Sequence, residues 1–286
     1  MSGLVVAVVL FAALLHASWN AIVKSGKDTF LSTVLVSAGA ALISLAVLPF
    51  VAAPDPASWP YLAASAVAQL AYYSLLAAAY RAGDMSHAYP LMRGSAPLLV
   101  ALASWPLIGE RLSSMQMGAV GCICAGIFGL YAAAARLPAA AGPHRHTGRA
   151  TAFALGNACV IASYTLIDGI GVRLSGAPAA YTMWIFVLNG AGLLLWTMLR
   201  RPADLLAYAG TQWRLAAFGG FGTLASYGLA LWAMTQAPVA AIAALRETSI
   251  LFAIAIAALF LRERISPRRY LAIALIAAGA VLMRMG

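Results

Sequence analysis

Two arginines inside apolar runs are the residues of this sequence best suited to chemistry. Arg246 lies in the stretch Leu245-Arg246-Glu247-Thr248, and Arg93 lies in Met92-Arg93-Gly94-Ser95, 153 residues earlier. An arginine in a low-dielectric cavity attracts a carboxylate or phosphate far more strongly than it does in water. Charges inside a bilayer tend to mark substrate pathways, although such an arginine can also lock a helix bundle by capping carbonyls or pairing with an acid. We therefore predict that Arg93 and Arg246 bind an anionic group.

Two acidic residues are candidates for a second kind of chemistry. Glu247 directly follows Arg246, so on a helix it points about 100° away from it. It could pair with another helix, take up a proton or meet a cationic group of a substrate. Asp168, in a different apolar run, is the other candidate for a substrate ammonium group or a coupling proton.

The spacing of the charged residues repeats along the chain. Seventeen residues separate Arg93 from the pair Glu110-Arg111, and 17 again separate Arg246 from Glu263-Arg264. Residues 88–126 match residues 241–279 at 10 of 39 positions without a gap, and Gly126 with Gly279 is one of the matches. Because the period is about half of the chain, it indicates an internal duplication.

Composition places the chain in a membrane. Of the 286 residues, 63% are hydrophobic and only 9% are charged, whereas a soluble domain carries about 25% charged residues. The net charge of +10 fits basic cytoplasmic loops. The sequence has no basic arm with interleaved aromatic residues, so we predict no nucleic-acid binding. All three cysteines fall in apolar runs, so we predict no disulfide framework, metal site or cofactor.

Ten apolar segments are long enough to cross a bilayer as helices. We call them spans 1 to 10, and they cover residues 3–23, 29–52, 59–80, 87–108, 115–134, 150–172, 179–199, 213–235, 239–261 and 268–284. Five spans per half place the second half upside down relative to the first, a plan that many transporters use. The predicted fold is an all-α integral membrane protein of two inverted five-helix repeats. The repeats occupy residues 1–135 and 150–286, joined by a linker at 136–149.

The loop charges predict an orientation. Of the 18 basic residues, 13 fall in loops that follow odd-numbered spans, and only Arg111, Arg173 and Arg284 fall on the opposite side. The positive-inside rule therefore places the odd-numbered loops in the cytoplasm and both termini outside.

Five spans carry polar or aromatic residues at helical spacing, which predicts that one face of each span turns inward. Facing a cavity, these residues would form aromatic walls with a few fixed polar groups, whereas the alternative is ordinary interhelical packing. The candidate substrate-binding residues, besides Arg93, Arg246 and Glu247, are His16, Trp19, Asn20, Tyr72, Tyr73, Tyr89, Tyr164, Tyr227 and Trp232.

Spans 5 and 10 have a different character. Span 5 carries a face of small residues that includes Gly118, Gly121 and Gly126, and span 10 carries alanines and Gly279. Such residues let helix backbones approach closely. We predict that these spans are scaffold, packed against each other in a monomer or against a second copy in a homodimer.

Several motifs resemble those of the EamA family of the drug/metabolite transporter superfamily. Gly109-Glu110-Arg111-Leu112 closes span 4, Leu261-Arg262-Glu263-Arg264-Ile265 repeats it at span 9, and His16-Ala17-Ser18-Trp19-Asn20 lies in span 1. The resemblance implies a secondary carrier of small metabolites in the bacterial inner membrane, often an exporter of amino acids, that works by alternating access. It also implies a site between spans 1, 3, 4, 6, 8 and 9. Relatives are often drawn with both termini inside, which conflicts with the charge count.

These observations predict a transporter of a small anionic or zwitterionic metabolite, with Glu247 or Asp168 as proton-coupling candidates. The alternative is an exporter of organic cations in which Glu247 or Asp168 binds the cation and aromatic rings stack on it. An intramembrane enzyme is a distant third, because no protease or phosphotransferase motif is present.

Overall fold

The computed structural model describes residues 1–26, 28–83, 85–135, 148–260 and 267–286. Residues 136–147 of the predicted linker and the pair Glu263-Arg264 lie outside the described residues. Within these ranges the fold is entirely helical. Its helices are α1 Gly3–Ser25, α2 Thr29–Val47, α3 Trp59–Ala82, α4 Met85–Ile108, α5 Ser114–Ala135, α6 Gly148–Leu174, α7 Pro178–Arg200, α8 Pro202–Met234, α9 Val239–Arg246, α10 Ser249–Phe260 and α11 Pro267–Met285.

The helices have the length and apolarity that a bilayer requires. In the described part of the chain, nine segments qualify as membrane spans, and α9 with α10 forms one of them. The 19 residues of α11 stand at the tenth predicted span. Large apolar side chains such as Phe50, Leu199 and Leu259 remain exposed on the outside of the bundle, where lipid rather than water would cover them. The predicted fold of an all-α integral membrane protein is confirmed.

Span 8 begins earlier than its hydropathy indicates. Helix α8 starts at Pro202, with proline at its first position and Asp204 in its first turn, both of which favour a helix start. At Gln212 the backbone leaves helical geometry (φ −117°, ψ 24°). The polar residues before Trp213 fall outside the apolar window, so hydropathy detects only the second part of the helix.

Span 9 is a broken helix, where the sequence predicts a continuous one. Helix α9 ends at Arg246 and α10 begins at Ser249. In the turn between them, the N–H groups of Glu247 and Thr248 donate to the carbonyls three residues back, those of Ala244 and Leu245, each at 3.1 Å. Such tightening inside a helix often marks a functional hinge. No glycine or proline stands at this turn, so the sequence carries no local signal for it.

The scaffold helices α5 and α11 meet through a reciprocal pair of glycines. A Cβ atom on Gly126 would lie 2.5 Å from Cγ1 of Ile276, and a Cβ on Gly279 would lie 2.6 Å from Cγ1 of Ile123. Only glycine allows this approach on either side. Gly126 with Gly279, and Ile123 with Ile276, are each 153 residues apart, which is the period of the sequence repeat. The two inverted repeats therefore pack on each other about a pseudo-two-fold axis.

Helix α9 lies at the centre of the bundle. Every residue from Val239 to Leu245 is buried, and these residues belong to the largest apolar cluster, together with residues of α1, α4, α5 and α6. Charged groups at the C-terminal end of α9 are therefore placed deep inside the protein.

Candidate functional site

Three charged residues predicted from the sequence meet at one cavity between α4, α6 and the break in span 9. Arg93 projects from α4, Arg246 ends α9, and Glu247 lies in the following turn. The Nε atom of Arg93 is 2.9 Å from Oε2 of Glu247. The cavity has a volume of about 30 Å³, which is roughly the share of one water molecule in the liquid. The site is therefore closed in this conformation.

The Arg93–Glu247 contact is an ion pair but not a well-directed hydrogen bond. Glu247 is only 6% exposed, so its charge needs a partner. Both Nε of Arg93 and Oε2 of Glu247 nevertheless lack a correctly oriented hydrogen-bond partner in the described structure, despite their short separation. Each group keeps hydrogen-bonding capacity that a ligand could use.

Arg246 is held differently from Arg93. Its guanidinium carbon lies 4.9 Å from the centroid of the Tyr227 ring, which is a cation–π contact. Within the part of the chain that the structure describes, no carboxylate oxygen lies at ion-pair distance from Arg246. Its N–H donors therefore remain available for an anion entering the cavity.

Behind Tyr227 lies the fully buried acid Asp168. The Tyr227 hydroxyl donates to Oδ2 of Asp168 at 2.5 Å, and the Tyr181 hydroxyl donates to Oδ1 at 3.2 Å. Asp168 is thus engaged by protein hydroxyls and is separated from Arg246 by a tyrosine. Its predicted role in proton coupling stays a prediction.

Aromatic side chains from α1, α3 and α6 surround the arginines. Tyr164 lines the cavity, and its ring centroid lies 6.2 Å from that of Tyr72, which is 5.1 Å from that of Tyr73. On the α1 side, His16 lies within electrostatic range of both Arg93 and Arg246. The structure therefore brings together four of the predicted aromatic and histidine candidates around the charged cluster.

Four other candidates lie in different surroundings. The Asn20 side chain donates to the carbonyl of His16, one turn back on α1, at 2.8 Å. Trp19 contacts His16 edge to face at 5.3 Å, and its buried indole N–H has no hydrogen-bond partner among the described residues. Tyr89 is 37% exposed, and Trp232 packs against the largest apolar cluster.

The cavity also contains residues that the sequence analysis did not single out. Thr165 and Ala243 line it, as does Pro97, one helical turn beyond Arg93. The N–H of Glu247 donates to the carbonyl of Ala244 rather than to that of Ala243, which would be its partner in a continuous α-helix. Spacing of one turn from Arg93 could have identified Pro97, but this change of partner depends on the break in span 9.

A second charged network closes the end of the bundle where the two termini lie. Oε2 of Glu110, just beyond α4, accepts the N–H of Val239 at the start of α9 at 2.8 Å, while Oε1 pairs with Arg173 at 2.5 Å. Arg173 donates in turn to the carbonyls of Met234 and Ala237, at 2.8 and 3.0 Å. Glu110 therefore caps α9 and links the two repeats.

No group of three His, Cys, Asp or Glu side chains within the described ranges is arranged to hold a metal ion. Two inverted repeats enclose a charged cavity at a broken helix, which is a plan found in many membrane transporters. The model of the EamA-like transporter family matches residues 3–132 and 149–285. The chain therefore belongs to that family and is a multi-pass membrane transporter of the drug/metabolite type.

The fold is also found among solved structures. One crystal structure matches 99% of this chain and 96% of its own chain, with a TM-score of 0.76 and 18% sequence identity. At that identity the likeness describes the fold alone. No curated protein matches the chain.

Proposed function

We propose that this transporter is a secondary carrier, working as an exporter, of a small zwitterionic or anionic metabolite such as an amino acid. The observation that carries the proposal is the convergence of Arg93, Arg246 and Glu247 on one closed cavity beside the break in span 9. Arg246 would bind the carboxylate or phosphate of the substrate. Glu247 and the carbonyl of Ala243, whose usual α-helical donor bonds to Ala244 instead, would bind its ammonium group.

The charge balance supports a zwitterion as the first choice. Two cations, Arg93 and Arg246, are accompanied by two buried acids, Glu247 and Asp168. A zwitterion leaves this balance unchanged. A net anion adds a charge to a low-dielectric site, and a proton taken up by Glu247 would restore neutrality. Proton coupling through Glu247 is therefore part of the proposal for an anionic substrate.

The size of the cavity supports alternating access. A space of about 30 Å³ cannot hold an amino acid, since small-molecule sites usually measure about 300 to 1,000 Å³. Binding would have to separate α4 from α9 and loosen the Arg93–Glu247 pair. In one step the Glu110–Arg173 network would stay closed on the side of the termini while the opposite side opens. In the next step the opposite side would close and the network would open.

The test is a ligand screen by thermal stability on the detergent-purified protein, covering amino acids, carboxylates, phosphorylated metabolites and organic cations. A ligand at 100 times its Kd stabilises the folded state by about 2.7 kcal/mol. We expect a zwitterion or anion to stabilise the native protein and Arg246→Ala to abolish the effect. Arg214→Ala, which removes an exposed arginine stacked on Trp213, is the matched control and should respond like the native chain.

The alternative is an exporter of organic cations that uses Glu247. It predicts that only cations stabilise the protein and that Glu247→Gln, rather than Arg246→Ala, loses the response. A cation bound at Glu247 would take that carboxylate from Arg93 and supply no anion to replace it, whereas a zwitterion brings its own carboxylate. Loss of the response in Glu247→Gln alone would make the arginines structural. We propose no catalytic activity.

The remaining parts of the proposal concern the cell and the assembly. We place the chain in a bacterial inner membrane, with both termini outside, by the positive-inside count. The close packing of α5 on α11 within one chain supports a monomer, and a homodimer through these helices is the alternative.

A further inference from the structure

Asp168 accepts hydrogen bonds from two tyrosine hydroxyls. Tyr181 on α7 donates to Oδ1, and Tyr227 on α8 donates to Oδ2. A carboxylate only accepts hydrogen bonds, so both of its oxygens are held by donors from neighbouring helices.

The same carboxylate sets the position of the ring on which Arg246 rests. Tyr227 donates to Asp168 at 2.5 Å, and the face of its ring lies under the Arg246 guanidinium. The ring also makes an edge-to-face contact with Phe186, at 6.2 Å between centroids, and packs against the largest apolar cluster. The hydrogen bond to Asp168 is the directional contact and fixes the position of the hydroxyl end of the ring.

We infer that Asp168 is a positioning residue that holds Tyr227 beneath Arg246 and so keeps the Arg246 donors free for the substrate. An acid in direct contact with Arg246 would compete with an incoming anion, as Glu247 does at Arg93. With tyrosine as a spacer, the acid stabilises the cation by its field and leaves the N–H groups unoccupied. The substrate consequence rests on the proposed function, whereas the placement of Arg246 can be measured without any substrate.

The experiment is nuclear magnetic resonance of the full-length protein in detergent, labelled with ¹⁵N-arginine. The Nε–H resonance of Arg246 is assigned as the one that Arg246→Lys removes. A proton over the face of an aromatic ring is shifted upfield by the ring current. We expect Tyr227→Phe, which keeps the ring and loses only the hydroxyl, to abolish that upfield shift. Asp168→Ala, which removes the acceptor of that hydroxyl, should do the same.

The matched control is Tyr181→Phe, which removes the hydroxyl on the other oxygen of the same acid. We expect it to lower thermal stability and to leave the Arg246 resonance in place. The double variant Asp168→Ala/Tyr227→Phe should shift the resonance no further than Asp168→Ala alone, because both changes break the same hydrogen bond. If Asp168→Ala fails to fold, Tyr227→Phe alone decides.

An unchanged resonance in Tyr227→Phe would mean that packing against Phe186 holds the ring, and would overturn the inference. The experiments distinguish a failure of this inference from a failure of the proposed function. If the Arg246 resonance responds as expected but no ligand depends on Arg246, the inference stands and the proposed function is rejected. If a ligand depends on Arg246 but the resonance does not respond to the variants, the proposed function stands and the inference is rejected.

Discussion

The two arginines occupy equivalent positions in the repeats but have different partners. The residue after Arg246 is Glu247, whereas the residue after Arg93 is Gly94, 153 positions earlier. Glu247, in the second repeat, pairs with Arg93 in the first. Arg246 is left with its contact to the ring of Tyr227. The two copies of the motif differ at this position, and with that difference one arginine is paired and the other is available.

This difference predicts unequal effects on stability. Arg93→Ala leaves Glu247 as a buried charge without its partner, so we expect a loss of about 3 to 5 kcal/mol in the free energy of unfolding. Arg246→Ala removes no ion pair and should cost less. The double variant Arg93→Ala/Glu247→Ala should recover part of the loss. Denaturant unfolding in detergent measures all three, and equal losses for the two single arginine variants would contradict the assignment.

Part of the site follows from the sequence alone, for a physical reason. A charge is so costly within a bilayer that Arg93, Arg246 and Glu247 stand out from the apolar sequence around them. Which acid pairs with which arginine depends on the packing of α4 against α9, and no local pattern encodes that packing. Thr165 and the carbonyl of Ala243 lacked a signal for the same reason, since an ordinary threonine or alanine gains its role only from its neighbours.

Among the helices, α9 is the element that connects the site to the closed end of the bundle. Its N-terminus at Val239 is capped by Glu110, and the turn after its C-terminus binds Arg93 through Glu247. Both partners belong to α4 or the residues just beyond it. A movement of α4 relative to α9 therefore has to break contacts at both ends of α9. Hydropathy locates this segment in span 9, but the break that defines α9 comes from hydrogen bonding.

The contact between α5 and α11 gives a prediction with its control on the same helix. Gly126→Val inserts a side chain where a Cβ alone would lie 2.5 Å from Ile276, so we expect a loss of about 1 to 3 kcal/mol from overpacking. Gly118, also on α5, has no atom within 4 Å of its Cβ position. Gly118→Val should stay within about 0.5 kcal/mol of the native chain. Thermal unfolding compares the two variants.

The pseudo-two-fold relation requires that the other half respond in the same way. Gly279→Val meets Ile123 as Gly126→Val meets Ile276, and the two losses should agree within experimental error. A large effect of Gly118→Val would instead indicate that the open face of α5 is covered by a second copy of the chain, in favour of the homodimer.

At the scale of the whole molecule, the orientation in the membrane decides what the closed network faces. Glu110 lies just beyond the end of α4, and Arg173 lies at the end of α6. An even number of crossings returns the chain to the side on which it starts, so both residues lie on the side of the termini. The excess of basic residues in the opposite loops predicts that this side is outside. In that orientation the closed network separates the cavity from the exterior, as an exporter between transport cycles requires.

Reporter fusions at Gly286 test this orientation. If the C-terminus is outside, a fused alkaline phosphatase is active, because it folds only in the oxidising exterior compartment, and a fused green fluorescent protein stays dark. Changing the arginines of the opposite loops supplies the matched control. Arg200→Glu/Arg201→Glu removes two of the 13 basic residues in the loops opposite the termini and should lower, without reversing, the phosphatase signal. A fluorescent fusion with an inactive phosphatase would place the termini inside. The Glu110–Arg173 network would then close the cytoplasmic side, and the cavity would have to load its substrate by opening that network first.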